Sequence, residues 1–414
     1  MTKILALLAL KNLDRYKKRT LITASTIAFG IMALIITDGL LTGISQQSDN
    51  NLIQFETGSA QIRTQKSWDE KDYLLIRNAI EDPEPIQQEL KAWGIQATGR
   101  TDFLGEMILR EGGIQTRFTA LNPETDGQVF DLERYVVEGE WLTQNPFGIV
   151  MGAWLAQDLD LKTGDFITIR TRAKNGNLQT LDLKITGLLN SPHGSINRGQ
   201  VFLSSHLADE QLLMRGSVTS FVIRYPMGKD LDLKLHEKIN SLIQSQIQKD
   251  LVFLDWRILG QEALEIAAAK SKGTSALLFM IILIAAVGII NTMLMAVYER
   301  IRELGTLQAL GLSPGHILSL IIFEAGGIGL LGSFAGALMG TAVNIYFIFQ
   351  GLDFSFISRN MDIGYRISGQ IFSSWNWGTV VGAILLSTFL AMGSALIPAR
   401  KALSLEITAC LRHN

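Results

Sequence analysis

At 414 residues the length allows two or three domains, but 47% apolar residues against 18% charged and a mean hydropathy of +0.23 put a membrane protein first. The formal net charge of −2 leaves no broad basic surface for neutralising phosphates, which excludes nucleic acid as a partner. A single cysteine, Cys410, excludes an intrachain disulfide and any cysteine-based metal site, so an exported domain must be held by its core alone.

Residues 1–20 carry Lys3, Lys11, Arg15, Lys17, Lys18 and Arg19 against the one acid Asp14, with Ile4, Leu7, Leu8, Leu10 and Leu13 on an apolar side. This predicts an amphipathic helix on the inner membrane surface. The next run, residues 21–42, has no charge before Asp38 and is about one bilayer thick as a helix. A full-length apolar run without a small-x-small cleavage site reads as an uncleaved anchor rather than a signal peptide. The basic flank puts its start in the cytoplasm.

Between Gly43 and Lys272 the composition is that of a water-soluble domain, with 24 Lys/Arg and 31 Asp/Glu. The pattern predicts an α+β insert (residues 43–257) of two subdomains, the second inserted in the first. Strands are expected at 59–64, in segments of 94–117 broken at Gly105 and Gly112-Gly113, at 166–171, 180–187 and 218–225. Helices are expected at 85–93, 154–158 and 230–248, and Asn175-Gly176 is a hairpin turn signal. Residues 258–272 have helical periodicity and run without proline into the second span, 273–297. A continuous stalk of this kind can carry a tilt or rotation out of the membrane.

Residues 298–316 form a short charged break. Glu299, Arg300, Arg302 and Glu303 alternate in sign at one end, while Leu304, Leu307 and Leu310 recur every three residues. Two readings stand: an amphipathic helix that docks in a groove on a partner, or a plain interhelix turn held by local ion pairs. The third span, 317–350, is long enough to require tilt or bending. Its Gly332, Gly336 and Gly340 recur every four residues, a spacing that lets another helix approach closely. After an exported loop at 351–377 with Trp375 and Trp377 at an interfacial level, the fourth span (378–397) repeats small residues at Ala383, Ser387, Ala391 and Ala395. Pro398 is expected to end it, and Arg400 and Lys401 place the tail, 398–414, inside. The fold class is thus a membrane protein of four transmembrane helices with a large α+β extracytoplasmic domain between helices 1 and 2, both termini cytoplasmic.

No His-Glu-x-x-His, Gly-x-Ser-x-Gly or phosphate-loop motif is present in the sequence, so no catalytic residue and no metal site is assigned. If ATP drives this protein, another chain binds it, with its Mg. Of the two acids within apolar runs, Asp38 lies near the outer end of its span and reads as solvated at the interface. Glu324 reads as a hydrogen-bonding group toward a neighbouring helix, since no relay partner accompanies it.

Several motifs carry a family resemblance: Asn291-Thr292-Met293, the run Val297 to Gly305, Ala309-Leu310-Gly311, Phe323-Glu324 with the glycine-rich helix behind it, and Pro398 to Ala402. Gly152 to Ala156 with Leu161 to Asp165, and the opening Ala9 to Leu13, add to it. Here the chain resembles the permease subunits of the lipoprotein-release (LolC/LolE-type) and MacB-type ABC transporters, which share an FtsX-like membrane domain. The resemblance implies that residues 299–310 are a coupling helix for a separate ABC ATPase, in a unit of two ATPases and two permeases, the second identical or homologous. It implies a bacterial inner membrane location with the large domain in the periplasm. In the lipoprotein-release branch, the first two spans line a cavity for acylated cargo taken from the outer leaflet and passed to a periplasmic carrier. Leu34, Ile35, Leu41, Ile44, Met280, Leu283 and Val287 are then wall residues, and are equally open to lipid-facing or packing roles. The segment 186–213 looks more like that branch than the efflux branch. Its Asn190, Ser191, Pro192, His193 and Arg198 are open to two readings, a carrier-contacting loop or an exposed hairpin without a partner.

Three functions follow: ATP-driven release of lipoproteins or another amphiphile, MacB-type efflux of peptides or drugs, and FtsX-like mechanical activation of a cell-wall hydrolase without transport. An acyl chain contributes about 0.8 kcal/mol per buried CH₂, so extraction needs both an energy source and an apolar shelter.

Overall fold

In a computed structural model of the chain, the described residues are 2–109, 112–225, 237–239, 250–299, 301–353 and 369–403. Arg300 and the helix expected at 230–248, apart from 237–239, lie outside them, as do Cys410 and most of the tail.

Helix α1 (Thr2–Arg15) gives way at Tyr16 to α2 (Lys17–Leu52), with Thr20 N still bonding Tyr16 O, so no loop separates the two. Helix α2 runs ten residues beyond the end expected at residue 42. Nothing between Gly43 and Gly58 breaks a helix, and a π turn (Ile53–Thr57) closes it at Gly58, whose φ of +65° no side chain adopts easily. The exported stretch follows as β1 (Ala60–Thr64), α3 (Gln65–Asp69), α4 (Glu84–Ala92), β2 (Gln96–Leu109), β3 (Gly112–Leu121), α5 (Pro123–Val129) and β4 (Val136–Gly139). Next come β5 (Ile149–Gly152), α6 (Ala153–Asp158), β6 (Phe166–Arg172), β7 (Leu178–Leu189), α7 (Gly194–Gly199), β8 (Gln200–Ser204), α8 (Ser205–Gln211), β9 (Ser220–Arg224) and β10 (Leu251–Asp255). The remainder is α9 (Trp256–Leu259), α10 (Gln261–Glu299), α11 (Ile301–Ala309), α12 (Pro314–Gln350), the short pair β11 (Leu352–Asp353) and β12 (Gln370–Ile371), α13 (Trp377–Ser394) and α14 (Leu396–Leu403).

The chain forms two compact units. One comprises residues 1–45, 268–352 and 371–414, the other 46–267 and 353–370. In the second unit a ten-stranded sheet runs β10-β1-β9-β2-β3-β8-β5-β7-β4, and β6 pairs with both β2 and β7. The ring β2-β3-β8-β5-β7-β6 therefore closes on itself, which removes its edges. Its inward side chains, among them Phe103, Met107, Phe118, Ile149, Ile169, Ile185 and Val201, form the largest core. Strands β9, β1 and β10 extend from the other half of β2 and carry their own core of Ile62, Ile80, Leu90, Phe221 and Ile223. The expected pair of subdomains is thus one sheet with a shared strand. Residues 96–100 of β2 pair with β9 and residues 106–108 with β6.

Gly105 does not break β2, contrary to the sequence expectation. A Cβ there would sit 2.8 Å from Phe118, so the glycine makes room for a ring that stacks on Phe103 at 5.4 Å. Asn175-Gly176 does form the β6–β7 turn, with Gly176 at φ +88° and Asn177 N donating to Asn175 Oδ1.

In the first unit, among the described residues, the helices long and apolar enough to cross a membrane are Thr20–Thr57, Pro314–Gln350 and Trp377–Arg400. Helix α10 is unbroken from Gln261 to Glu299; its start is three residues later than the stalk read at 258, because α9 ends at Gly260. The last helix breaks at Ala395 rather than at Pro398. Proline takes the third position of α14, where its missing N–H needs no partner within the helix.

Candidate functional site

Helix α11 is held in place from both sides. Leu304 is buried in the core formed by Leu13, Ile27, Ile317, Ile321 and Ala399, and Leu307 packs on Leu5, Ala9 and Leu320. Glu303 Oε1 accepts from Tyr16 Oη at 3.1 Å and lies 3.2 Å from Arg15 Nη2. The turn after it is built by Gly311 at φ +92°: Gly311 N bonds Gln308 O and Leu312 N bonds Leu307 O, a Schellman cap. Pro314 then opens α12, with Ser313 Oγ against His316 Nδ1 at 2.7 Å.

The predicted apolar edge is therefore divided. Leu304 and Leu307 face this chain and are not free for a partner, because α1 and α12 cover them. Leu310 is 77% exposed, and Arg302 and Glu299 are exposed. What α11 offers outward is Arg302, Thr306 and Leu310. The contribution of Arg15 and Tyr16 was not legible from spacing, since 287 residues separate Tyr16 from Glu303.

Gly332, Gly336 and Gly340 form a seam against α2. A Cβ at Gly332 would lie 2.7 Å from Ala24 O, at Gly336 2.8 Å from Ala28 Cα, and at Gly340 3.1 Å from Met32 Cα. Nearer its start α12 meets α13, where a Cβ on Gly329 would be 2.9 Å from Ala391 Cβ. Ala383, Ser387, Ala391 and Ala395 are all buried there. Small residues thus let three helices approach at backbone distance. Asp38 has a partner the sequence did not supply: Asn376, the N-cap of α13, donates to it at 3.3 Å. Glu324 is buried at 4% exposure.

Ile35, read as a cavity wall, is 3% exposed and packs on the seam, its Cβ 3.2 Å from where Gly340 would carry one. Leu34 packs against the same core, and Leu41 and Ile44 are half-buried. Met280, Leu283 and Val287 on α10 are 62%, 47% and 57% exposed in the single chain. Ile35 therefore belongs to helix packing.

The segment 190–199 is not an exposed hairpin. Ser191 and His193 are 2% and 0% exposed, and Asn197, also buried, ties the turn together. Its Oδ1 accepts from Ser191 N at 2.7 Å, and its Nδ2 donates to Ser191 O at 2.8 Å and to Asn190 Oδ1 at 3.0 Å. The knot clasps the end of α2: Asn51 Nδ2 donates to Pro192 O at 3.1 Å, Phe55 lies against the His193 ring, and Glu56 Oε2 is 3.4 Å from His193 Nε2. Asn190 is exposed, Pro192 is half-buried, and Arg198 lies over Trp154 at 5.6 Å. Asn51, Phe55 and Glu56 lie beyond the end that hydropathy sets for the first span, and the lack of any helix breaker before Gly58 is the signal that reaches them.

From Glu56 a chain of charges enters the sheet. Arg117 lies 3.8 Å from Glu56 and 3.0 Å from Asp102, and Arg63 lies 3.6 Å from Asp102. Asp102 also accepts from Thr119 Oγ1 at 2.7 Å. Burial alone would raise the Asp102 carboxyl, but Arg117, Arg63, the Thr119 hydroxyl and Arg100 outweigh it and hold it below the usual carboxylate range. Asp102 raises Arg117 against the opposing effect of burial, while burial lowers Arg63. A second buried pair, Arg100 with Asp126, is bidentate at 2.7 and 2.8 Å.

A helical unit packed through small residues, with a large α+β insert between its first and second long helices, is the architecture of a membrane protein with a large extracytoplasmic domain. The MacB-like periplasmic core domain family matches residues 20–234 and the FtsX-like permease C-terminal family matches residues 275–407. The chain belongs to this family of ABC transporter permeases. It is 21% identical to an ABC transporter permease of Methanocaldococcus jannaschii over 98% of this chain and 96% of that one. It is 22% identical to the lipoprotein-releasing system transmembrane protein LolC of Neisseria meningitidis, over 95% and 94%. Against the macrolide export ATP-binding/permease protein MacB of Pectobacterium atrosepticum it is 21% identical over 96% of this chain and 59% of that protein. Among solved structures, the periplasmic region of MacB from Actinobacillus actinomycetemcomitans aligns with 51% of this chain and 95% of that one at 12% identity and a TM-score of 0.35.

Proposed function

We propose that this chain is the permease subunit of an ATP-driven transporter that takes lipoproteins from the outer leaflet of a bacterial inner membrane and passes them to a periplasmic carrier. Full-length similarity to LolC carries the reading, since the match spans both the exported and the membrane parts. In this reading residues 273–297 of α10 are the second of four spans, both termini are cytoplasmic, and residues 46–267 are periplasmic. ATP and Mg are held by a separate ABC ATPase, and the permease works with a second, identical or homologous copy. The outward face of α11, with Arg302 and Leu310, receives the ATPase. Glu303, fixed by Arg15 and Tyr16, passes its displacement to α1 and α12. The clasp of residues 190–197 on Asn51, Phe55 and Glu56 supports a role for α2 in moving the periplasmic sheet, and Asn190, Pro192 and Arg198 are placed at the carrier-contacting surface.

Depletion of the protein followed by lipoprotein fractionation tests the cargo; unchanged release from the inner membrane refutes it. Arg302→Glu tests the coupling: loss of ATPase co-purification with normal insertion is expected, and retained binding counts against it. Efflux is the second reading, favoured by the match of residues 20–234 to the MacB-like periplasmic core.

A further inference from the structure

We infer that the exported unit carries a binding site for a water-soluble organic anion with an apolar body, in the cavity beside residues 103–106 of β2. On the edge of β2 away from β3, pairing with β9 ends at residue 100 and pairing with β6 starts at residue 106, and between them Thr219 Oγ1 accepts from Asp102 N. A cavity of about 500 Å³ lies beside residues 103–106 of β2 and is bounded also by the turn at 73–77 and by the β6–β7 hairpin. That volume is in the range of small-molecule sites.

The lining has two chemistries. Tyr73 and Leu178, 69% and 59% exposed, supply the apolar surface a ligand can reach, while the Phe103 side chain is 1% exposed and belongs to the core inside the ring. The charged lining residues are Arg77, Arg170, Arg172 and Glu106, a net charge of +2. This excess of cations sits in a stretch where acids outnumber bases 31 to 24. Arg170 is committed to Glu106 through its Nε and Nη2. Arg77 reaches only 3.8 Å to Glu70, and Arg172 gives one Nη1 bond to Gly176 O. A guanidinium has five N–H donors, so Arg77 and Arg172 retain donors for a carboxylate, sulfonate or phosphate.

Rigid parts surround the space. Thr171 Oγ1 donates to Leu104 O at 2.9 Å and fixes the hairpin to β2, while Leu74 at φ +45° holds the facing turn in a conformation uncommon for leucine. An apolar body between Tyr73 and Leu178 with its anion on Arg77 and Arg172 satisfies both chemistries. This site is independent of the lipoprotein reading and survives its failure.

The test uses the full chain in nanodiscs of zwitterionic lipid, read by hydrogen–deuterium exchange of peptides covering 73–78, 103–107 and 170–178. Octanoate is the probe, with octanol and acetate as its apolar-only and anion-only counterparts. Octanoate at twice its dissociation constant slows exchange of these peptides about threefold, while octanol and acetate leave them unchanged. The R77Q/R172Q double variant abolishes the octanoate effect, and so does Leu178→Asp, which places an acid at the mouth. Equal protection by octanol, or protection retained in the double variant, overturns the proposal. Protection by anionic lipid discs without octanoate overturns the assignment to a soluble ligand and identifies a headgroup as the source.

Discussion

The two units solve one problem, excluding space between packed elements, by opposite means. In the helical unit the contacts are made by what is missing: Gly329, Gly332, Gly336 and Gly340 bring backbones together, and the core around them is largely Ala and Ile. In the exported unit the contacts are made by large groups, with Phe103 on Phe118 and the buried charges of Arg63, Asp102, Arg117, Arg100 and Asp126. Lipid offers no drive to bury apolar surface, so close dispersion contact must hold helices there. Water penalises exposed apolar surface, so the sheet closes on a core and tolerates buried charge only where it is paired.

The largest break in this contrast is at Asp102. Replacing it with Asn leaves Arg63, 6% exposed, without its counter-charge, at a cost of about 3–5 kcal/mol. Hydrogen exchange of β2 and β3 should accelerate while the peptides of α12 and α13 stay protected. The same group sets a pH dependence. Its folded carboxyl lies below the unfolded value near 4, so its contribution is full above about pH 4 and is lost as pH falls through the folded value. Acid titration of the wild type should therefore loosen β2 and β3 at low pH, and D102N should lack that transition.

The next test acts on the seam. Gly336→Val inserts side-chain atoms where Ala28 Cα already lies 2.8 Å from a Cβ, and overpacking of this kind costs about 1–3 kcal/mol or more. Gly340→Ala should cost less, because its nearest neighbour is at 3.1 Å. Melting of the detergent-solubilised chain, followed by tryptophan fluorescence, should fall in the order wild type, G340A, G336V. Equal melting temperatures would show that α2 and α12 do not depend on close approach.

How much was readable follows the same division. The glycine spacing in α12, the apolar runs and the Asn175-Gly176 turn are local signals, and the structure has elements at each. The closed ring of strands was not readable, because the pairing of β6 with β2 depends on residues more than sixty positions apart, Glu106 with Arg170. Gly105 misled for a related reason: its role is set by the ring of Phe118 on another strand. At α11 the repeat of leucines was visible but not its division, since covering Leu304 and Leu307 required α1 and α12. At residues 190–199 the two readings, a carrier-contacting loop and an exposed hairpin, both expect exposure, whereas Asn197 satisfies the turn internally and buries it.

The smallest effects separate conformational from packing roles of glycine within the helical unit. Gly311 has open space where a Cβ would go but a φ of +92°, so Gly311→Ala should cost about 1 kcal/mol through backbone strain alone. Gly382 also has open space, but it lies inside α13 in helical conformation, so Gly382→Ala should stabilise by up to about 1 kcal/mol. The two variants add the same methyl group and should shift the melting temperature in opposite directions. A shift of the same sign in both would mean that the added methyl acts through its surroundings at these positions. Opposite signs would leave the cost of G336V attributable to the contact with α2, since a methyl in an unobstructed helix position carries no penalty of its own.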